Sequence, residues 1–304
     1  MDYASSPIGG TLRVKRGLPA EPPAMQETRF DLTYPDEPGR VIRGKVVSPG
    51  EQTAKGPWIL MVHGFKGFMD WAFLPLLARG LAESGITTVR FNTSGSGVGE
   101  DLEYYSDPAA FERDTYSRQL EDMARVRQAV EDGQFGPLNP EEGLVFGHSR
   151  GGGMGIVHAA EHDYRGVITW AAISKAQFFT DKVVQEWRDQ GFLEIPNTRT
   201  GHTMRLGLDA IHDVERNPDR LDILAAAARL EAPTLVLHGT EDETVPTQSA
   251  EDLVQALPNG RKHLIVGANH TFGASHPLKQ VDEPLGMALA LTMQHACQCL
   301  DLPY

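Results

Sequence analysis

Apolar positions along the chain fall into two alternating kinds of run. Residues 86–91, 234–238 and 262–266 read as strands, and residues 58–62 (Trp-Ile-Leu-Met-Val), 144–146 (Leu-Val-Phe) and 166–170 are short and almost continuously apolar. Such runs suit strands buried on both faces. Between them, residues 71–83, 107–130, 153–160, 221–230, 247–257 and 278–300 space their apolar side chains as helices do. The 107–130 run opens on Asp107-Pro108, a cap followed by a first helical position. Strands taking turns with helices predict an α/β fold: a mostly parallel, twisted sheet with right-handed crossovers and helices on both faces.

Three stretches depart from the alternation. Near the start, residues 11–16 alternate apolar and polar and precede Pro19, Pro22 and Pro23; residues 29–34 and 40–47 then flank Pro35-Asp-Glu-Pro-Gly39. That separator is turn chemistry, so the pair is expected as an antiparallel hairpin at a sheet edge. Residues 92–100 are Gly- and Ser-rich, but Ser94-Gly-Ser-Gly97 has no Lys-Ser/Thr after it, so it reads as a tight loop and not a phosphate cradle. From 172 to 219 the alternation breaks down: Phe178, Phe179, Trp187 and Phe192 mix with charges around the turn-rich 195–201. This is too long for an ordinary connection and is expected as a lid inserted into one domain spanning 1–304.

Composition narrows the partners. With 304 residues, 40% hydrophobic content and a net charge of −13, the chain can bury a large core but is a poor ligand for polyanions. No nucleic-acid or membrane partner is expected; a second copy of the chain stays open. Cys297 and Cys299 lie near the C-terminus, poorly spaced for a mutual disulfide, and no Cys/His set completes a metal site. The first ten residues lack a basic start and an apolar core, and no apolar run approaches the ~18 residues that span a bilayer. A soluble, cytoplasmic protein is the expectation.

Chemistry centres on Gly147-His-Ser149-Arg-Gly151, a G-x-S-x-G match that alone carries little weight in a chain with 31 glycines. Its setting adds weight, because a buried strand precedes it and a small-residue helix follows. A serine hydroxyl needs a base, and the base needs an orienting carboxylate. On a nucleophile-elbow fold the acid follows the serine and the histidine comes last, at the carboxyl ends of late strands. The turn after 234–238 holds Glu241, Asp242 and Glu243, alternatives on spacing alone. Of the downstream histidines, His263 sits inside a strand and His295 in the terminal helix; His270 follows the last strand, with His276 in reserve. Oxyanion donors are expected at the backbone N–H of Arg150 and, in the His63-Gly-Phe-Lys-Gly67 loop, of Phe65. His63 is expected as a packed strand-end residue, and the Arg150 side chain as cover for the helix start or a carboxylate binder.

Three blocks, His63-Gly-Phe65, Gly147-His-Ser-Arg-Gly-Gly152, and the pair 238–246 with 267–272, make the sequence resemble an α/β-hydrolase from about residue 58 to 272. The resemblance implies Asp242 as the acid, by an H-G-x-x-D-x-x-V-P habit, and His270 as the base, by a G-A-D-H-x-F turn in which this chain has Asn269. More narrowly, it resembles the cinnamoyl/feruloyl esterase and serine-aminopeptidase-like, dienelactone hydrolase-related branch. A carboxylesterase acting on a small ester through Ser149, Asp242 and His270, without cofactor or metal, is the resulting expectation. Phe68, Trp71, Trp170, Phe178 and Trp187 are candidate pocket residues. An amide-cleaving aminopeptidase, with acids such as Asp181, Glu186, Asp189 and Glu194 holding an amine, a thioesterase, and a silent binding scaffold are the alternatives.

Overall fold

The computed structural model describes residues 25–50, 54–176, 179–197 and 201–304. The alternating run at 11–16 and Phe178 lie outside them. The chain begins with β1 (Gln26–Thr33) and β2 (Val41–Ser48), which pair antiparallel as the edge hairpin expected from the 35–39 turn. Then come β3 (Gly56–Val62), α1 (Leu74–Glu83), β4 (Thr87–Asn92), α2 (Pro108–Glu112) and α3 (Tyr116–Glu131). The middle holds β5 (Leu138–His148), α4 (Arg150–Glu161), β6 (Gly166–Trp170), α5 (Asp181–Gln190), β7 (Phe192–Asn197), β8 (His202–Gly207) and α6 (Asp209–Arg216). The chain ends with α7 (Ile223–Arg229), β9 (Thr234–Gly239), α8 (Gln248–Ala256), β10 (Gly260–Ile265) and α9 (Glu283–Cys299).

Among the described residues eight strands form one sheet in the order β1-β2-β4-β3-β5-β6-β9-β10. Beyond the antiparallel β1-β2-β4 edge, every pairing is parallel. Strand β3 shows why its sequence is continuously apolar. Trp58, Leu60 and Val62 enter a core beneath α3, α4, α7 and α8, while Ile59 and Met61 enter a second core beneath α1 and α9. Period-two alternation with both faces covered leaves no position for a polar side chain. This is the α/β-hydrolase fold, and it places the carboxyl ends of β3, β5, β9 and β10 at one rim.

One element differs from its sequence reading. The run at 107–130 is two helices, broken at Arg113-Asp-Thr115. Asp107 caps α2 by accepting from the Ala110 N–H, with Pro108 at the first turn, as expected. Thr115 then takes an extended conformation and caps α3, its hydroxyl accepting from the Arg118 N–H at 3.1 Å. A capping side chain inside an apolar period restarts a helix, and the break turns Asp114 into the interior.

Between β6 and β9, the strands β7 and β8 pair antiparallel in a small sheet of their own. With α2, α5 and α6 they close a third apolar cluster of Phe111, Trp187, Ile195, Met204, Leu206 and Ile211.

Candidate active site

Ser149 sits between β5 and α4 at φ 56°, ψ −120°, a conformation that costs a non-glycine residue about 1–3 kcal/mol. Neighbouring glycines make room for it. A Cβ on Gly147 would lie 2.2 Å from the Gly151 carbonyl oxygen, and one on Gly151 would lie 2.5 Å from that of His63. Backbone bonds hold the turn: Ser149 N–H donates to Trp170 O at 2.8 Å, and Ser149 O accepts from Gly152 N–H at 3.0 Å. Because the clash partners are backbone atoms, Gly147→Ala should lose at least about 3 kcal/mol of stability, read as a shifted urea midpoint.

His270, in the turn after β10, bridges the other two partners. Its Nε2 lies 3.0 Å from Ser149 Oγ and its Nδ1 lies 2.8 Å from Asp242 Oδ2. The carboxylate only accepts, so Nδ1 carries the proton and Nε2 is free to accept from the serine hydroxyl. Asp242 is held by four donors. Oδ1 accepts from the Thr244 and Val245 N–H groups at 2.9 and 2.8 Å, and Oδ2 accepts from His270 and from His238 Nε2 at 3.3 Å. Burial alone would raise this carboxyl, but the bonds from His238, His270 and Val245 outweigh it and hold the group well below the usual carboxylate range. Glu241 and Glu243 are exposed on the same turn. The geometry therefore separates three carboxylates that spacing leaves equivalent.

Two histidines the sequence reading passed over stand behind this array. His238, at the end of β9, shares its Nε2–H between Val245 O at 2.9 Å and Asp242. His148, one residue before the serine, donates from Nε2 to the carbonyl of His270 at 3.0 Å, tethering the backbone of that loop. Burial, reinforced by His270, lowers His148 to about 3, so it stays neutral. Their signal is positional: each is a histidine closing a buried strand beside a predicted site residue.

The loop after β3 packs on the serine. A Cβ on Gly64 would lie 3.0 Å from that of Ser149. His63 is buried and packed, with Nε2 accepting from the Thr93 N–H and Nδ1 donating to Gly64 O. Phe65 follows, and Arg150 opens α4, where the first N–H groups have no intrahelical acceptor. The Arg150 side chain runs inward to an internal carboxylate, pairing with Asp114 at 2.6 Å, so it neither covers the helix start nor awaits a carboxylate from outside.

A cavity of about 490 Å³ opens beside Ser149 and His270. Its apolar wall comes mainly from Ile173, Val184, Trp187, Ile195, Leu206 and Ile211. Three predicted pocket residues are elsewhere. Trp170 is fully buried in the core under α9, its Nε1–H donating to Thr292 Oγ1 at 2.8 Å. Phe68 is also fully buried, edge-on to His276. Trp71 stacks on His148, with ring centres 6.4 Å apart and planes 9° from parallel. Phe68 and Trp170 thus fill the interior, where an aromatic ring takes its whole surface out of water, and Trp71 is partly buried against that core. The reserve histidine, His276, accepts from the Ala72 N–H and bonds Glu103, away from the serine. Both cysteines are buried free thiols. No His/Cys/Asp/Glu group among the described residues could hold a metal ion, and no helix there is long and apolar enough to cross a membrane.

The pattern of the prolyl oligopeptidase family matches residues 72–285. An uncharacterized peptidase, YuxL of Bacillus subtilis, is 26% identical over 270 residues; the match covers 84% of this chain and 36% of that protein's length. Among solved structures, Est1E from Butyrivibrio proteoclasticus superposes with a TM-score of 0.63 at 16% identity, covering 90% of this chain and 99% of its own. A puromycin-hydrolyzing peptidase of Mycobacterium tuberculosis gives 0.65 at 20% identity, covering 91% of this chain and 40% of its own.

Proposed function

The chain belongs to the prolyl oligopeptidase family, and from that premise we propose that it is a serine hydrolase that cleaves carboxylic esters of apolar acids with Ser149, His270 and Asp242. The observation that carries this reading is the unbroken line from Ser149 Oγ through His270 to Asp242 Oδ2, with bonds of 3.0 and 2.8 Å. His270 Nε2 takes the hydroxyl proton as Oγ adds to the acyl carbon, and the carbonyl electrons move onto oxygen. The N–H groups of Phe65 and Arg150 receive that oxyanion. As the carbonyl re-forms, the ester C–O bond breaks and His270 returns the proton to the leaving alcohol. Water then repeats the sequence on the acyl-enzyme, releasing the acid. Asp242 stays ionised throughout, stabilising the imidazolium.

Charge in the cavity wall supports an apolar acyl group. Asp114 is paired with Arg150, and Glu215 with Arg188. Neither is left to receive a substrate ammonium, as an aminopeptidase would require. Asp181, Glu186, Asp189 and Glu194 are not in the lining. Residues 172–219 act in this reading as the lid that sets substrate choice. Family membership favours a second reading, amide cleavage by the same groups.

A pair of matched substrates tests it. The p-nitrophenyl ester of an apolar acid should exceed an aminoacyl p-nitroanilide in kcat/KM by at least about tenfold. The opposite order would replace the ester reading with the amide one. A fluorophosphonate that fails to label Ser149 would remove both and leave a binding scaffold.

A further inference from the structure

The side chain of Arg150 is built into the site more firmly than its neighbours require. It is 8% exposed, and the partners of its guanidinium, Asp114 and Gln119, are 4% and 2% exposed. Nη1 and Nη2 donate to the two oxygens of Asp114 at 2.6 and 2.8 Å, Nε donates to Gln119 Oε1 at 2.7 Å, and Nη2 also reaches Thr115 O at 3.4 Å. Its carbon lies 5.3 Å from the ring centre of Phe65 and 5.0 Å from that of Tyr116. Phe65 in turn stacks on Phe111 at 5.5 Å. A planar fork that holds a carboxylate on one edge, with its carbon over two rings, is fixed more closely than a lysine ammonium would be.

The residues at the two ends of this contact are those whose N–H groups receive the oxyanion in the reading above. Arg150 supplies one N–H from its own backbone, and its side chain leans on the ring of the residue that supplies the other. We propose that the Arg150 guanidinium, anchored by Asp114, is a positioning group that sets the separation of the Phe65 and Arg150 N–H donors. This rests on the assignment of those two amides as the oxyanion site. The break between α2 and α3 then has a purpose, because it delivers Asp114 to the interior. An error of about 1 Å in such a donor pair can cost about 10²-fold in rate, since donors must meet the oxyanion and not the ground-state carbonyl.

The test uses Arg150→Met, Arg150→Lys and Asp114→Asn in the full chain, with p-nitrophenyl butyrate as substrate and an alkyl trifluoromethyl ketone as inhibitor. Ser149 adds to that ketone as to an ester, passing its proton to His270, but no bond to a leaving group breaks, so the inhibitor reports the oxyanion site. For Arg150→Met and Asp114→Asn, kcat should fall about 10²-fold and the ketone Ki should rise in parallel, with KM within about threefold. Arg150→Lys should recover less than a tenth of the lost kcat. A merely structural clamp would lower the melting temperature while leaving kcat and Ki near wild type, and that result overturns the proposal. Should Arg150→Met not fold, Phe65→Leu keeps the N–H and removes the ring, and an unchanged kcat and ketone Ki there would also overturn it. Ser149→Ala run alongside separates the two levels. If that variant keeps its activity, the underlying mechanism fails; if it is dead and the clamp variants are unaffected, only the positioning role does.

Discussion

Replacing Ser149 by alanine should lower kcat on a p-nitrophenyl ester by about 10⁶ while KM stays within a few-fold. The loss is large because in the proposed mechanism Oγ forms the covalent bond, and among the described residues Ser149 Oγ, at 3.0 Å, is the hydroxyl bonded to His270 Nε2. The fold should be indifferent, since alanine and serine bear a similar cost at φ 56° and the turn is held by backbone bonds. Residual activity of about 10³–10⁴ over water is expected from the oxyanion donors and binding alone. Steady-state kinetics and the loss of fluorophosphonate labelling check this together. A fall of less than about tenfold would mean that another group attacks.

Asp242→Asn should cost about 10⁴ in kcat with little change in KM. The reason lies in which atoms surround the carboxylate. Two backbone N–H groups, of Thr244 and Val245, face Oδ1, so the amide oxygen of asparagine must take that place. Its NH2 then replaces Oδ2 and points at His270 Nδ1 and His238 Nε2. His270 can accept from that NH2 only by moving its proton to Nε2, which removes the lone pair that takes the serine proton. The same substitution should change the acid side of the stability profile. Asp242 is held below its unfolded value of about 3.9, so its contribution is complete above that pH and is lost as pH falls through and below it. Melting temperatures from pH 7 to pH 3 should therefore drop more steeply in the wild type than in Asp242→Asn. Equal slopes would show that the carboxyl is not depressed.

Much of this architecture is legible in the sequence because burial on two faces leaves a simple mark. The run at 58–62 has no polar position, and β3 is central. Turn chemistry at 35–39 likewise predicts the β1-β2 edge, because proline and glycine act locally. What stayed hidden depends on contacts remote in sequence. Thr115 is able to cap a new helix, but a threonine inside an apolar period does not require a break, and the partner that draws Asp114 inward, Arg150, lies 36 residues away. Trp170 and Phe68 carry the residue type of a pocket wall and the burial of a core, and residue type does not distinguish a ring above the sheet from one beneath it. The histidines His148 and His238 were missed for a related reason: strand-ending histidines are usually packed, and these are packed against the histidine and carboxylate they orient.

Ser149, the histidine and carboxylate behind it, and the groups that hold them lie at 63–67, 148–151, 238–245 and 270, on the rim of the main sheet, whereas most of the apolar cavity wall lies at 173–214. Chemistry and shape are thus written in separate passages of the gene. A lineage can therefore exchange one diet for another by altering the second passage, without reopening the first to selection.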